Sequence, residues 1–192
     1  MKSQKKRSPR NLKGKTVLLC VTGSIAAYRA CDLVRELRSE GANVVCLMTE
    51  AAKRFVAPLT FRSISGNPVY SDPFSDEESW SVLHTTLADR ADLILIAPAT
   101  ADILARLAGG FASDLVTSVV LASRAKVLIA PAMNDNMFQH PMTQENIEKL
   151  RGIGYRFVEP IEGDLVCGRI GVGHIADNRT VLDQVRKILH GR

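Results

Sequence analysis

Short, uninterrupted apolar runs that alternate with helical patterns constrain the fold of this 192-residue chain most strongly. Such runs are typical of strands buried on both faces, and the helical patterns between them indicate crossover connections. We therefore predict an α/β fold of three layers, in which helices cover both faces of a mostly parallel sheet. The five predicted strands are Thr16–Val21, Asn43–Thr49, Asp92–Ala97, Lys126–Ala130 and Tyr155–Val158. The helical patterns cover residues 24–40, 100–108, 113–123, 142–151 and 178–189.

The net charge of +5 comes from the start of the chain. Residues 1–15 hold seven of the 25 basic residues and no acidic one, so 18 basic residues face 20 acidic ones in the remainder. We expect a basic, disordered tail over residues 1–13 and one folded domain over residues 14–192, with no nucleic-acid partner. No apolar stretch reaches the roughly 18 residues of a membrane span, so no membrane partner is expected. The four cysteines form no C-x-x-C pair, which is typical of reduced thiols in the cytoplasm.

The residues that follow each predicted strand are the candidate ligand contacts, because open parallel sheets bind ligands at the carboxyl ends of their strands. Gly23 and Ser24 follow the first strand and open a helix, where small residues and the helix dipole favour an anion. The chain has neither G-x-G-x-x-G nor a P-loop at this point, so a monophosphate fits better than a dinucleotide. Ser24 is also an ordinary helix N-cap residue, and this alternative stays open.

Two similar turns, each beginning Ala-Pro-Ala, follow the third and fourth of these strands. Proline lacks a ladder donor, so we expect Pro98 and Pro131 to end their strands. The small residues that follow leave room for a flat ring. Asn134 would add a donor and an acceptor at the rim, although asparagine is also a common turn residue.

Two further side chains are candidates for acid–base chemistry. His84 precedes a predicted helix start, where the dipole disfavours its cation, so it is either a base or a surface histidine. Cys167 lies in a glycine-rich flap, Gly163–Gly173, which is either a disordered connector or a segment that orders over a ligand. Its thiol is a candidate proton donor or nucleophile, or an incidental free cysteine. The acidic segment Ser71–Ser81 is expected to be a mobile surface loop, and no histidine spacing predicts a metal site.

Five stretches of the sequence carry a resemblance to a known family. They are Gly23–Tyr28, His84–Leu87, Ala97–Asp102, Pro131–Phe138 and Cys167–Gly173. From residue 14 to about residue 189, the chain resembles the homo-oligomeric flavin-containing cysteine decarboxylases. It is most similar to those members that act on phosphopantothenoylcysteine, either as separate proteins or as one half of a bifunctional coenzyme A biosynthesis flavoprotein.

This resemblance implies a Rossmann-like, flavodoxin-like fold and a flavin-binding decarboxylase domain. FMN would lie at a subunit boundary of a homotrimer or homododecamer. The implied activity is that of a carboxy-lyase, which converts phosphopantothenoylcysteine, a small phosphorylated cysteine conjugate, to phosphopantetheine in coenzyme A biosynthesis. The substrate thiol would be oxidised to a thioaldehyde, carbon dioxide would leave, and the enethiol would be protonated and reduced, with the cofactor carrying the difficult chemistry. The ligase half of the bifunctional relatives is absent, so the chain is either monofunctional or excised from a longer parent.

The resemblance also assigns roles to individual residues. His84 would be the base and Cys167 the proton donor, and Asn134 would hold the substrate carboxylate. The other expected substrate contacts are Met133, Leu165, Val166 and Gly173. The expected FMN contacts are Gly23, Ser24, Ile25, Thr49, Ala51, Thr100, Ala101, Asp102 and Ala132. His174-Ile175 stands where bacterial relatives often have Arg-Met.

Three alternatives to this activity stay open. A peptide cysteine decarboxylase of lantibiotic maturation would share the flavin, but the Cys167-Gly168 pair argues against it. A flavin prenyltransferase shares the fold, but the motif Pro-Ala-Met-Asn argues against that activity. A non-catalytic regulatory protein of this fold would be marked by the loss of His84 or Cys167, and both are present.

Overall fold

The computed structural model describes residues 11–72, 83–164 and 170–191. Its strands are β1 (Thr16–Val21), β2 (Asn43–Met48), β3 (Val69–Tyr70), β4 (Leu93–Ala99), β5 (Lys126–Pro131), β6 (Arg156–Phe157), β7 (Ile161–Asp164) and β8 (Ile170–His174). Its helices are α1 (Ala27–Ser39), α2 (Glu50–Lys53), α3 (Pro58–Ser65), α4 (Leu83–Arg90), α5 (Ala101–Ala108), α6 (Leu115–Ala122), α7 (Asp135–Gln139), α8 (Pro141–Gly152) and α9 (Asn178–His190).

Six strands form one sheet in the order β3-β2-β1-β4-β5-β6, and every neighbouring pair is parallel. The remaining two, β7 and β8, form a separate antiparallel hairpin. Successive residues of one strand enter different cores, as Leu18 and Leu19 of β1 show. One core packs the sheet against α1, α3 and α9, and the other packs it against α4, α5, α6 and α8. The predicted three-layer α/β fold is therefore confirmed.

All five predicted strands are present, but the expectation that Pro98 ends its strand is wrong. β4 runs through Pro98 to Ala99, with a shift of register against β5 between Ile96 and Ala99. β5 ends at Pro131, as predicted. A proline is tolerated where the ladder is irregular or where a strand ends, because the missing N–H then breaks no regular pairing.

Two ion pairs join neighbouring elements at positions away from the sheet's carboxyl edge. Glu40, directly after α1, is 3% exposed and accepts a 2.9 Å hydrogen bond from Nε of Arg186 in α9. At the amino end of β4, Asp92 accepts from the Thr16 N–H at 2.8 Å and from Lys15 Nζ at 2.9 Å. Burial alone would raise the pKa of Asp92, but these two donors outweigh it and hold the pKa below its usual 3.8.

The predicted tail over residues 1–13 is wrong for its last residues. Residues 11–14 form a turn, and Leu12 is fully buried in the core. The Leu12 backbone N–H donates to the Glu40 carbonyl at 3.0 Å. An apolar side chain with this burial anchors the segment, so the domain begins before residue 14, while residues 1–10 lie outside the described part of the chain.

The two irregular segments of the sequence are only partly described. Most of the acidic segment, residues 73–81, lies outside the described residues, as do residues 165–169 of the flap. The described ends of the flap are the regular strands β7 and β8. These ends therefore differ from the disordered connector that was one of the two alternatives for this segment. No helix within the described ranges combines the length and the apolar character that a membrane span needs.

Candidate active site

The strand order reverses between β1 and β4, which places a topological switch point at their carboxyl ends. Thr22, which is 1% exposed, joins the two strands there. Its hydroxyl donates to the Pro98 carbonyl at 2.7 Å and accepts from the Thr100 N–H at 3.1 Å. One buried side chain therefore fixes the loops after β1 and β4 relative to each other.

The loop after β1 approaches the loop after β2 more closely than a side chain would allow. A Cβ atom on Gly23 would lie 2.4 Å from Cβ of Ala51, so only glycine fits this position without a shift. Helix α1 begins at Ala27, three residues later than predicted, and Ser24 Oγ accepts from the Ala26 N–H at 3.3 Å. Ser24 therefore stabilises the turn before the helix and does not cap α1 itself.

Threonines begin the helices that follow β2 and β4. Thr49 Oγ1 accepts from the Ala52 N–H at 3.2 Å, and Thr100 Oγ1 accepts from the Ile103 N–H at 3.3 Å. Both hydroxyls are helix N-caps, which fixes their position at the carboxyl edge of the sheet. The exposed carboxylate of Asp102 pairs with Arg106 one turn later in α5, at 2.9 Å.

The turn after β5 is tied both to the sheet and to the hairpin. Ala132 N–H donates to the Ala99 carbonyl at 2.9 Å, and Met133 N–H donates to the Gly173 carbonyl in β8 at 3.0 Å. Asn134 caps α7 because its Oδ1 accepts from the Asn136 N–H at 3.0 Å. The predicted substrate contacts Met133, Asn134 and Gly173 are therefore neighbours in the structure.

Glycines allow β8 to lie directly against this turn. A Cβ on Gly173 would lie 2.3 Å from the Met133 carbonyl oxygen, and a Cβ on Gly171 would lie 2.8 Å from Cβ of Asp135. Gly173 also has φ of +151°, which L side chains rarely adopt. The glycine-rich composition of this segment thus serves close backbone contact with the Asn134 turn.

The candidate acid–base residues are less completely placed. His84 is half-buried in the first turn of α4, which leads into β4 and therefore begins near the carboxyl edge of the sheet. Cys167, Leu165 and Val166 lie outside the described residues, so their roles stay predictions. Ile25 is 52% exposed, and Ala101 is partly buried at the start of α5.

The other cysteines have no exposed, acidic thiol. Cys20, Cys31 and Cys46 are free, and the first and last of them are buried in the sheet. Burial raises the pKa of the Cys46 thiol to about 12, with a smaller contribution from Cys31. A thiol with such a pKa stays protonated at neutral pH and is a poor nucleophile. Within the described residues, no group of three or more His, Cys, Asp or Glu side chains could hold a metal ion.

A family model described as Flavoprotein matches residues 5–190 of the chain. The chain belongs to this family. It is 46% identical over 176 residues to the coenzyme A biosynthesis bifunctional protein CoaBC of Bacillus subtilis, covering 92% of the chain but only 43% of that relative's length. It is also 46% identical over 177 residues to a probable phosphopantothenoylcysteine decarboxylase of Streptococcus mutans, covering 91% of the chain and 99% of that protein.

Solved structures resemble this flavoprotein over nearly its whole length. The FMN-dependent cysteine decarboxylase SpaF superposes with a TM-score of 0.82 at 31% identity, covering 92% of this chain and 96% of that one. A cysteine-to-serine mutant of PPC decarboxylase complexed with pantothenoylaminoethenethiol gives a TM-score of 0.84 at 29% identity. The match covers 92% of this chain and 99% of that one. These likenesses confirm the Rossmann-like, flavodoxin-like fold and the family inferred from the motifs.

Two residues or pairs contribute to this site without being expected from the sequence. Thr22 is a polar residue at the end of an apolar strand, and that contrast is a signal that could have identified it. Arg29 of α1 contacts His174 of β8, with Nη1 2.7 Å from Nε2. No local pattern links these two residues, which are 145 positions apart, so only the three-dimensional structure reveals the pair.

Proposed function

We propose that this flavoprotein is an FMN-dependent carboxy-lyase that converts phosphopantothenoylcysteine to phosphopantetheine in coenzyme A biosynthesis, in the cytoplasm. The observation that carries the proposal is the match to the Streptococcus mutans protein, because 46% identity extends over 99% of that relative. The Bacillus subtilis relative is a bifunctional protein, and this chain matches 43% of it, so the proposal concerns the decarboxylase reaction alone.

The residues at the carboxyl edge of the sheet fit a flavin mononucleotide. Small residues lie among those that follow β1, β2, β4 and β5, and their short side chains would leave the backbone open to a flat ring and a phosphate. They are Gly23 and Ser24 after β1, Thr49 and Ala51 after β2, Thr100 and Ala101 after β4, and Ala132 after β5. The hydroxyls of Thr49 and Thr100 lie at helix starts, and that of Ser24 lies in the turn before α1. The helix dipole favours the charge of a phosphate at such positions. We propose that these residues, with Gly23, Ile25, Ala51, Ala101, Asp102 and Ala132, hold FMN.

FMN, when bound, would supply a two-electron acceptor that returns the same electrons, so the overall reaction has no net redox change. His84 would accept the proton of the substrate thiol while the thiol carbon is oxidised. Asn134 would donate its amide hydrogens to the substrate carboxylate and orient the bond that breaks when carbon dioxide leaves. Cys167 would return a proton to the enethiol carbon, with Met133, Leu165, Val166 and Gly173 around the substrate.

We further propose a homotrimer, or a dodecamer of four trimers, in which FMN lies between subunits. Several large apolar side chains are exposed on the single chain and would be covered by such an assembly. They include Tyr28 at 61%, Phe111 at 59%, Leu121 at 59% and Met142 at 58% exposure. In this arrangement, His84 of one subunit and Asn134 of a neighbour could serve one site.

Substitution of His84 tests the proposed reaction. His84→Asn should retain FMN and the assembly but lower turnover of phosphopantothenoylcysteine by about 10²–10⁴-fold, because a general base acts in the transition state. The matched control is His190→Asn, since His190 is exposed at the end of α9. Full activity of the His84 variant, or loss of its flavin, would show that the role is misassigned. Turnover of a peptide ending in cysteine, in place of the phosphorylated substrate, would favour the peptide decarboxylase alternative.

A further inference from the structure

The contact between Arg29 and His174 joins α1 to the end of β8. A guanidinium group has only N–H donors, so Nε2 of His174 must accept the 2.7 Å hydrogen bond from Nη1 of Arg29. This hydrogen bond requires the tautomer that has its ring proton on Nδ1. A side chain with an acceptor in this position can make the contact, and an apolar side chain cannot.

The hairpin is built to hold this imidazole in place. A Cβ atom on Gly163 of β7 would lie 3.2 Å from Cγ and 3.3 Å from Cβ of His174. Glycine at this position therefore lets the ring lie close to the backbone of the neighbouring strand. The ring is held by β7 on one side and reaches α1 through its Nε2 atom.

The backbone of Arg29 also contacts the start of α9. Nδ2 of Asn178 donates to the Arg29 carbonyl, at a long distance of 3.5 Å. The pKa of Asp177 is lowered, chiefly by a hydrogen bond from the Thr180 N–H and in smaller part by the charge of Arg29. Arg29, the partner of His174, therefore lies beside the start of α9 and interacts with it.

The residue before His174 holds the Asn134 turn. The carbonyl of Gly173 accepts from the Met133 N–H at 3.0 Å, and Met133 precedes Asn134. Adjacent residues of β8 thus contact two separate elements, α1 through His174 and the turn after β5 through Gly173. A change in the position of β8 would therefore reach the Asn134 turn through this backbone hydrogen bond.

We propose that His174 is a positioning residue for the substrate-binding turn. By accepting from Arg29 it fixes β8 to α1, and β8 in turn fixes Met133 and Asn134. The proposal rests on the proposed function in one respect, which is that Asn134 holds the substrate carboxylate. Loss of the His174 contact should therefore weaken substrate binding more than the chemical step.

The test compares His174→Ala with the matched variant His174→Gln, whose Oε1 atom can still accept a hydrogen bond. In the flavin-loaded protein, the alanine variant should raise KM for phosphopantothenoylcysteine about tenfold, the effect of one hydrogen bond to a charged group. Its kcat should change less than about twofold. The glutamine variant should restore KM to near the wild-type value.

Hydrogen exchange provides a readout that does not depend on turnover. In the alanine variant, the amides of β8 and of residues 133–135 should exchange faster than in the wild type, while those of β1 should not change. The glutamine variant should restore protection. Wild-type KM and wild-type exchange in His174→Ala would overturn the proposal, as would a glutamine variant that behaves like the alanine variant. If the wild type itself does not turn over the substrate, the proposed function fails, and the exchange experiment alone decides whether His174 fixes β8.

Discussion

Replacement of Thr22 by valine removes one hydroxyl from the switch point while keeping the shape of the side chain. The hydroxyl makes two buried hydrogen bonds, a donation to the Pro98 carbonyl at 2.7 Å and an acceptance from the Thr100 N–H at 3.1 Å. Valine would leave both backbone groups without this partner, and each orphaned group costs about 1–3 kcal/mol. We expect Thr22→Val to lower the free energy of unfolding by about 2–6 kcal/mol. Its affinity for FMN should also fall, because the loops after β1 and β4 separate.

Urea unfolding followed by circular dichroism measures this change, at one protein concentration and one fixed FMN concentration. Thr22→Ser keeps the hydroxyl and loses only a methyl group, so it should cost about 1 kcal/mol. Thr60→Val is the matched control on the exposed surface of α3 and should stay within about 0.5 kcal/mol of the wild type. A Thr22→Val protein as stable as the Thr60→Val control would refute the argument that Thr22 joins the two strands.

Three further substitutions test other parts of the structure. Glu40→Gln should lower the free energy of unfolding by about 1–3 kcal/mol in urea titrations. This is less than the loss expected on breaking a fully buried ion pair, because the Arg186 side chain is 30% exposed. An unchanged free energy would mean that water replaces the ion pair at no cost. Gly23→Ala should lower the free energy of unfolding by about 1–3 kcal/mol and lower the flavin content, because the added methyl group overlaps the side chain of Ala51. Gly152→Ala is the control: its methyl group would enter open space, so the variant should be as stable as the wild type or slightly more stable. Asp92 has a lowered pKa, so its stabilising effect is present above about pH 4 and is lost as the pH falls through the folded-state pKa. Asp92→Asn should therefore be less stable than the wild type by about 1 kcal/mol or less at pH 7, and the two stability curves should converge in acid. If the stability difference between the two proteins stayed constant as the pH falls from 7 into acid, the stabilising role given to the Asp92 carboxylate would be contradicted.

The layers of the fold could be predicted because they depend on local periodicity. The apolar runs of β1, β2, β4 and β5 are buried on both faces, as is typical of strands in a parallel sheet. The short strands β3 and β6 have two residues each, so they carry almost no periodic signal. The hairpin was not predicted, because its glycines indicate freedom in the sequence but serve close contacts in the fold.

In the candidate site, too, only the features that have a local sequence signal could be predicted. Small residues after strands were identified because the carboxyl edge of a parallel sheet is a general binding position. Leu12 was missed because a single apolar residue in a basic segment shows no pattern, and its burial depends on the C-terminal end of α1. The pair Arg29–His174 depends on how the hairpin docks, which no short stretch of sequence encodes.

The reaction of the wild-type protein with phosphopantothenoylcysteine tests the central claim most directly. The protein would be purified with its flavin, the cofactor identified by chromatography after denaturation, and the products analysed by mass spectrometry with no added oxidant. We expect FMN as the cofactor, and one phosphopantetheine and one carbon dioxide for each substrate consumed. Release of FAD or of no flavin, or an FMN-loaded protein that leaves phosphopantothenoylcysteine intact, would contradict the proposed function.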